Sequence, residues 1–255
     1  MVLLSEVMLH QTQVARVEAA WPDFIRKFPT PETMVAAGPG SVIAAWGRLG
    51  YPRRARRLYD AACIIATSGW PADLTCLPGV GRYTAGAIAA QALGVDVPAV
   101  DVNIRRVTER IAGRPLTMSE AEASLLAIGE GLISRDRLLA VMDVGATLCT
   151  RNAPLCDECP FSSLCASRQA ITRGETPPDI RRPSRQAAYI GSFRQRRGEV
   201  LATLRLGTAL AADLDQEALF SLVTDGLAAI TCDTASLPTR QAFVEEHKAV
   251  PSARG

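Results

Sequence analysis

The sequence predicts an all-α protein. Strong helix formers (Ala, Leu, Arg, Glu) abound, while the β-branched alternation of strands is rare before Gly191. Apolar residues recur at helical spacing, as Leu3, Val7, Val14, Val17 and Trp21 do. Helix-start signals punctuate the chain at Thr30-Pro31, Ser41 and Ser119. At 255 residues and 48% apolar content the chain can bury a real core, enough for two units and a small third.

Residues 1–20 read as one helix that starts almost at the first residue. Glu6 lies at the border of its apolar stripe, with His10 one turn on and Gln13 beyond. A carboxyl half-sheltered there either holds a proton near neutrality or is simply solvated. Gln11 and Thr12 point away from that stripe. Thr30-Pro31 opens a short helix that Gly38 closes, and Ser41 caps the next, which ends over Gly47–Gly50. Tyr51-Pro52 is a turn among arginines; its ring fills the core or stacks on an unpaired base. A helix follows over 56–68.

Leu77-Pro78-Gly79-Val80-Gly81 is a Gly-rich hairpin leading into a helix over about 83–93. Pro78 stops the preceding helix, and the glycines supply positive φ. The free N–H groups of Gly81–Tyr83 and the helix dipole form an anion site suited to phosphate, with Arg82 beside it; an ordinary αα-hairpin is the alternative. Asp101 stands alone after an apolar lead-in. Ser119-Glu120-Ala121-Glu122 reads as a capping box opening a helix to about Ile133, and the helix over 136–148 runs into cysteines. Pro177, Pro178 and Pro183 mark a linker. Residues 191–238 read as two short helices and a hairpin in 222–232, a small winged-helix-like unit. The expected organisation is therefore a helical module with the hairpin (1–97), a second with Asp101 and the cysteine loop (98–170), a linker (171–190), the small unit (191–238) and a tail (239–255).

Net charge is only +2, but of 28 basic residues just Lys27 and Lys248 are lysines. Arginines cluster at Arg53, Arg54, Arg56 and Arg57, and again at Arg181, Arg182, Arg185, Arg194, Arg196 and Arg197. Such runs suggest nucleic acid or a solvated helix face. With no charged leader segment and no apolar run near ~18 residues, a signal peptide and a membrane span are not expected, and the cytoplasm, in association with the nucleoid, is the expected location.

Four of seven cysteines crowd into C-x6-C-x2-C-x5-C: Cys149, Cys156, Cys159 and Cys165. A reducing compartment leaves them as thiols, and four soft ligands stiffened by Pro154 and Pro160 suit zinc or a [4Fe–4S] cluster. Only one close pair is present, which favours iron–sulfur; free structural thiols remain the alternative. Cys63, Cys76 and Cys232 read as small apolar residues.

The hairpin, the acid after it and this cysteine spacing together resemble the helix-hairpin-helix DNA glycosylases of the endonuclease III superfamily. Within it, LSEVMLHQTQV (4–14), WGRLGY (46–51), LPGVGRYTAGAI (77–88), VDVNIRRV (100–107) and MDVGATLCTRNAPLCDECP (142–160) resemble the MutY-type adenine glycosylases, over residues 1 to about 170. The resemblance implies a two-module helical fold holding a [4Fe–4S] cluster on the four cysteines. It also implies a monomer acting on double-stranded DNA with A·8-oxoguanine or A·G mispairs. It makes Glu6 the acid that protonates the flipped adenine, Asp101 the carboxylate that meets the sugar cation, Tyr83 their neighbour and Asn103 the residue orienting Asp101 or water. Gly79, Gly81, Arg82 and Arg151 face phosphates, Gln11 and Thr12 fill the hole or meet the opposite base, and Tyr51 stacks near the partner guanine. Bifunctional relatives place Lys where Tyr83 stands, so base removal without a lyase step is expected. Excision of T or U opposite G and a non-catalytic DNA-binding iron–sulfur protein are the alternatives. His10 replaces the first Gln of the family's usual pair; relatives are also expected to carry residues ahead of the Glu6 helix, and many a Nudix-like domain after the cluster, for which 191–255 shows no strand series.

Overall fold

The computed structural model describes residues 1–128, 131–175 and 188–239. Its residues fall into two compact units: 1–6 with 80–185, and 7–79 with 186–255. This division differs from the sequential modules expected, because the first helix starts in one unit and residues 188–239 gather with the early helices rather than alone. Of the expected linker (171–190), residues 176–187 lie outside the described residues, as does the expected tail beyond Thr239.

The helix expected over 1–20 is two helices, α1 (Val2–Leu9) and α2 (Val14–Lys27). The break has a cause distant in sequence. Gln11 takes a left-handed φ of 54°, and the carbonyls of Val7, Met8 and His10 are capped by the Arg54 guanidinium. α3 (Pro31–Ala37) starts as expected, with Thr30 and Thr33 bonding reciprocally. α4 (Pro39–Trp46) starts before Ser41, since Gly38 at positive φ and Pro39 at the first helical position already set the turn. α5 (Arg53–Ser68) ends at Gly69, φ 76°, so Pro78 is not its stop; one turn of 3-10 helix (Leu74–Cys76) leads into the hairpin. Phe24, Ile43, Trp46 and Tyr59 are fully buried here, and the Phe24 ring meets Trp46 and Phe28 edge-on.

The other unit contains α6 (Arg82–Ala92), α7 (Val102–Ala112), α8 (Met118–Ile128), α9 (Ser134–Asp143) continued by a π-helical turn (Val144–Leu148), and α10 (Arg168–Thr172). Its core joins Ala87, Ile104, Val107, Leu125, Leu138 and Val141. The capping box of α8 is Thr117 with Glu120, two residues ahead of the expected pair, which leaves Glu122 to bond Arg82 at 2.8 Å.

Residues 188–239 form α11 (Phe193–Leu206), β1 (Ala209–Leu210), α12 (Gln216–Thr224), β2 (Ala229–Thr231) and β3 (Thr234–Ser236). The strands pair antiparallel in the order β1-β3-β2. The hairpin turns at Cys232–Asp233, later than expected, because α12 runs to Thr224 and Gly226 at φ 64° ends it. Arginines expected to face solvent or nucleic acid are spent inside this unit. Asp225 accepts from Arg53 and Arg197, Arg56 donates to Asp60 and to the Gly226 carbonyl, and Arg196 pairs with Asp215 and Glu217. Arg181, Arg182 and Arg185 lie outside the described residues. Among those residues no helix is long and apolar enough to cross a membrane.

Candidate active site

Ala99 and Val100 are buried, which pins the extended lead-in and delivers Asp101 as the N-cap of α7. Its Oδ1 accepts the Ile104 N–H at 2.7 Å, and its Oδ2 accepts Asn103 Nδ2 at 2.9 Å. Asn103 Oδ1 in turn accepts from Arg106 Nη2 at 2.9 Å, and Arg106 Nε donates to the Cys149 carbonyl at 2.7 Å. The chain of bonds thus runs from Asp101 to the backbone of the cysteine loop. Gly145 permits it: a Cβ there would stand 2.8 Å from Asn103 Cβ.

Glu6 belongs to the same unit and is half-buried. Its Oε1 accepts Gln91 Nε2 at 3.2 Å. Burial, opposed by donors Gln91 and Tyr83 and reinforced by the charge of Asp101, raises its pKa above the ordinary carboxyl value. The Tyr83 hydroxyl lies within reach of the Glu6 carboxyl and of Met142 Sδ, 3.7 Å away. Burial first, then the charges of Glu6 and Asp101, push that hydroxyl up, so it stays a donor. Two carboxyls and one phenol therefore share a sheltered site. Glu6, Tyr83, Asp101 and Asn103 come together in this unit. Gln91 and Arg106 were not foreseen; Gln91 was legible as a polar residue two helical turns after Tyr83 on an Ala-rich helix.

At the hairpin Gly79 has φ 81°, and a Cβ would press the Arg57 side chain at 3.1 Å. Gly81 is the N-cap of α6, and no side chain caps that helix. Its first-turn N–H groups are thus open to an anion. Arg82, expected to face phosphate, pairs with Glu122. In the second unit Gln11, Thr12 and Tyr51 gather about Arg54: the Thr12 hydroxyl accepts from Arg54 at 2.8 Å and donates to the Leu49 carbonyl at 3.1 Å.

Cys149, Cys156, Cys159 and Cys165 line one cavity with Leu148, Pro154, Leu155 and Ile171. Arg110, buried beneath it, donates to Cys149 Sγ at 3.3 Å, to the Thr150 carbonyl at 2.8 Å and to the Arg151 carbonyl at 3.2 Å. Burial, then the neighbouring thiols, raise the pKa of Cys156. Among the described residues no three His, Cys, Asp or Glu side chains form a group that could hold a metal ion.

Residues 4–128 match the family described as HhH-GPD superfamily base excision DNA repair protein. An adenine DNA glycosylase of Mycobacterium tuberculosis is 40% identical over 256 residues, covering 91% of this chain and 83% of its own. The human adenine DNA glycosylase is 38% identical over 183 residues, 67% of this chain and 34% of the human one. Among solved structures, a thermostable thymine-DNA glycosylase superposes with TM-score 0.59 at 26% identity, over 66% of this chain and 83% of that one. A trapped endonuclease III–DNA covalent intermediate gives 0.58 at 25% identity, over 68% and 85%.

Proposed function

The chain belongs to the HhH-GPD superfamily of base excision DNA repair proteins and is an adenine DNA glycosylase, and we propose that it hydrolyses the N-glycosidic bond of adenine mispaired with 8-oxoguanine or guanine, without a lyase step. The observation that carries this reading is the meeting of Glu6 and Asp101 through Tyr83. Adenine leaves only after a ring nitrogen is protonated. A carboxyl whose pKa is raised by burial holds the proton for that step, so Glu6 is the general acid at N7 of the flipped base. Gln91 and Tyr83 fix the orientation of that carboxyl.

Departure of adenine leaves an oxocarbenium-like sugar. Asp101, its two oxygens bonded by Ile104 and Asn103, faces that cation or bonds C1′ before water attacks, as in a retaining glycosidase. A Schiff base needs an amine, and Tyr83 offers a phenol. The open N–H groups at Gly81 take a DNA phosphate, Gly79 supplies the positive-φ turn that leads into them, and Arg151 makes a second phosphate contact; Gln11, Thr12 and Tyr51 meet the opposite base.

Four thiols line one cavity and a cluster takes one thiolate on each iron, so this donor set fits a [4Fe–4S] cluster. Cys149, Cys156, Cys159 and Cys165 would hold it, and when bound it would stiffen the loop that carries Arg151 rather than enter the bond chemistry. The helix, strand, helix and hairpin of residues 188–239 support reading that region as winged-helix-like.

Duplexes carrying A·8-oxoguanine, A·G or T·G test the function. Adenine loss from the first two, with strand breaks only after hot alkali, is the expected result. Breaks without alkali overturn the monofunctional reading, and cleavage of T·G alone overturns the base assignment.

A further inference from the structure

We propose that Arg54 is a positioning residue for mispair recognition, its guanidinium holding the His10–Gln13 and Leu49–Tyr51 segments together as one preformed surface that reads the base opposite the excised adenine. This rests on the adenine-glycosylase reading. One guanidinium meets six acceptors: the carbonyls of Val7, Met8 and His10 through Nη1, and the Thr12 hydroxyl with the carbonyls of Leu49 and Gly50 through Nη2. The Trp46 and Tyr51 rings lie 5.2 and 5.6 Å from its centre. Trp46 Nε1 adds a bond to the Gly50 carbonyl at 2.9 Å.

The bonds fall where they control backbone shape. A carbonyl and the next residue's nitrogen share one rigid peptide plane, so holding the His10 carbonyl sets φ of Gln11, and holding the Gly50 carbonyl sets φ of Tyr51. Among the described residues only three non-glycine residues have positive φ, and two are Gln11 (54°) and Tyr51 (46°). Residues held in this region cluster where a surface must be preformed. Both side chains are exposed, while the guanidinium behind them is half-buried and its Nε has no acceptor. A lysine, a single point donor, cannot bridge both segments.

The test compares Arg54→Lys with the parent protein on A·8-oxoguanine, A·G and undamaged A·T duplexes. It records single-turnover adenine release, Kd, and the fluorescence of 2-aminopurine beside the mispair, which rises when the stack opens. The expected result is a Kd for A·T within about twofold of the parent, with at least about tenfold slower release and a diminished fluorescence rise on the mispaired duplexes. Parent-like release and fluorescence, or an affinity loss equal on all duplexes, overturns the proposal. Arg54→Gln, whose one amide cannot span both segments, is the second variant if Arg54→Lys does not fold. A loss in the same direction supports the proposal, and parent-like behaviour overturns it. A parent that opens the stack but releases no adenine sinks the functional reading instead, and the fluorescence of the variants still decides the role of Arg54.

Discussion

Asn103 donates its Nδ2–H to Asp101 Oδ2 at 2.9 Å while its own Oδ1 is held by Arg106. The amide is fixed at both ends, so it can orient the carboxylate without drifting. Asn103→Leu keeps the shape and deletes both bonds. A hydrogen bond to a charged group is worth about 1.5–3 kcal/mol, so single-turnover adenine release should slow by roughly 10- to 100-fold. Kd for undamaged duplex should not move. A rate within about twofold of the parent would remove Asn103 from the machinery.

Glu6 supplies a pH test with a definite sign. Its raised pKa favours the protonated form, so adenine release should be constant at low pH and fall as pH rises through the folded-state pKa of Glu6. Glu6→Gln should lose roughly 100- to 10,000-fold and that pH dependence with it. Stability follows the same pH direction, but the substitution changes it with the opposite sign to the rate. A pKa raised by burial means the folded state disfavours the charged form, so Glu6 costs stability above its folded pKa and nothing below its unfolded one. Urea unfolding should therefore find Glu6→Gln more stable than the parent at pH 8 and equal to it at pH 4. Equal midpoints at both pH values would mean Glu6 is solvated.

The sequence made these acids visible because each carries a local signal: a carboxyl at the edge of an apolar stripe, and a lone acid after an apolar lead-in. The break after α1 had no such signal. Its cause is Arg54, more than forty residues away, whose donors make a free helix end cheaper than continuing the helix. The arginine run misled for a related reason. Asp225 and the Gly226 carbonyl, which engage Arg53 and Arg56, are about 170 residues distant, beyond any spacing rule. Local chemistry was legible; partners brought together by folding were not.

Gly145 tests how tightly the cysteine loop and the catalytic helix must approach. Alanine there puts a methyl 2.8 Å from Asn103 Cβ and 3.1 Å from its backbone carbonyl carbon, so α7 or the π-turn must shift. Overpacking of this kind costs about 1–3 kcal/mol. Gly145→Ala should lower the urea midpoint and slow adenine release, with the four cysteines unchanged. Unaltered release would show that the approach serves packing alone.

Asp225 anchors α12 to α5, and its energetics follow from burial. Only 8% of its side chain is exposed, and desolvation is the largest influence on its carboxyl, acting upward. The bonds from Arg53 and Arg197 together outweigh it and hold the pKa below the ordinary value. A depressed folded pKa gives stability that is present above the unfolded pKa, near 3.9, and lost as pH falls through the folded value. Asp225→Asn keeps one acceptor but removes the charge that both guanidiniums face. Arg53 is mostly exposed and keeps its hydration, whereas Arg197 is 18% exposed and does not. The loss is therefore weighted to Arg197, about 1–3 kcal/mol at pH 7. Urea unfolding should show that deficit at neutral pH and a smaller one toward pH 3, with adenine release unchanged in conditions where the protein is folded. A deficit independent of pH would assign the effect to packing rather than charge.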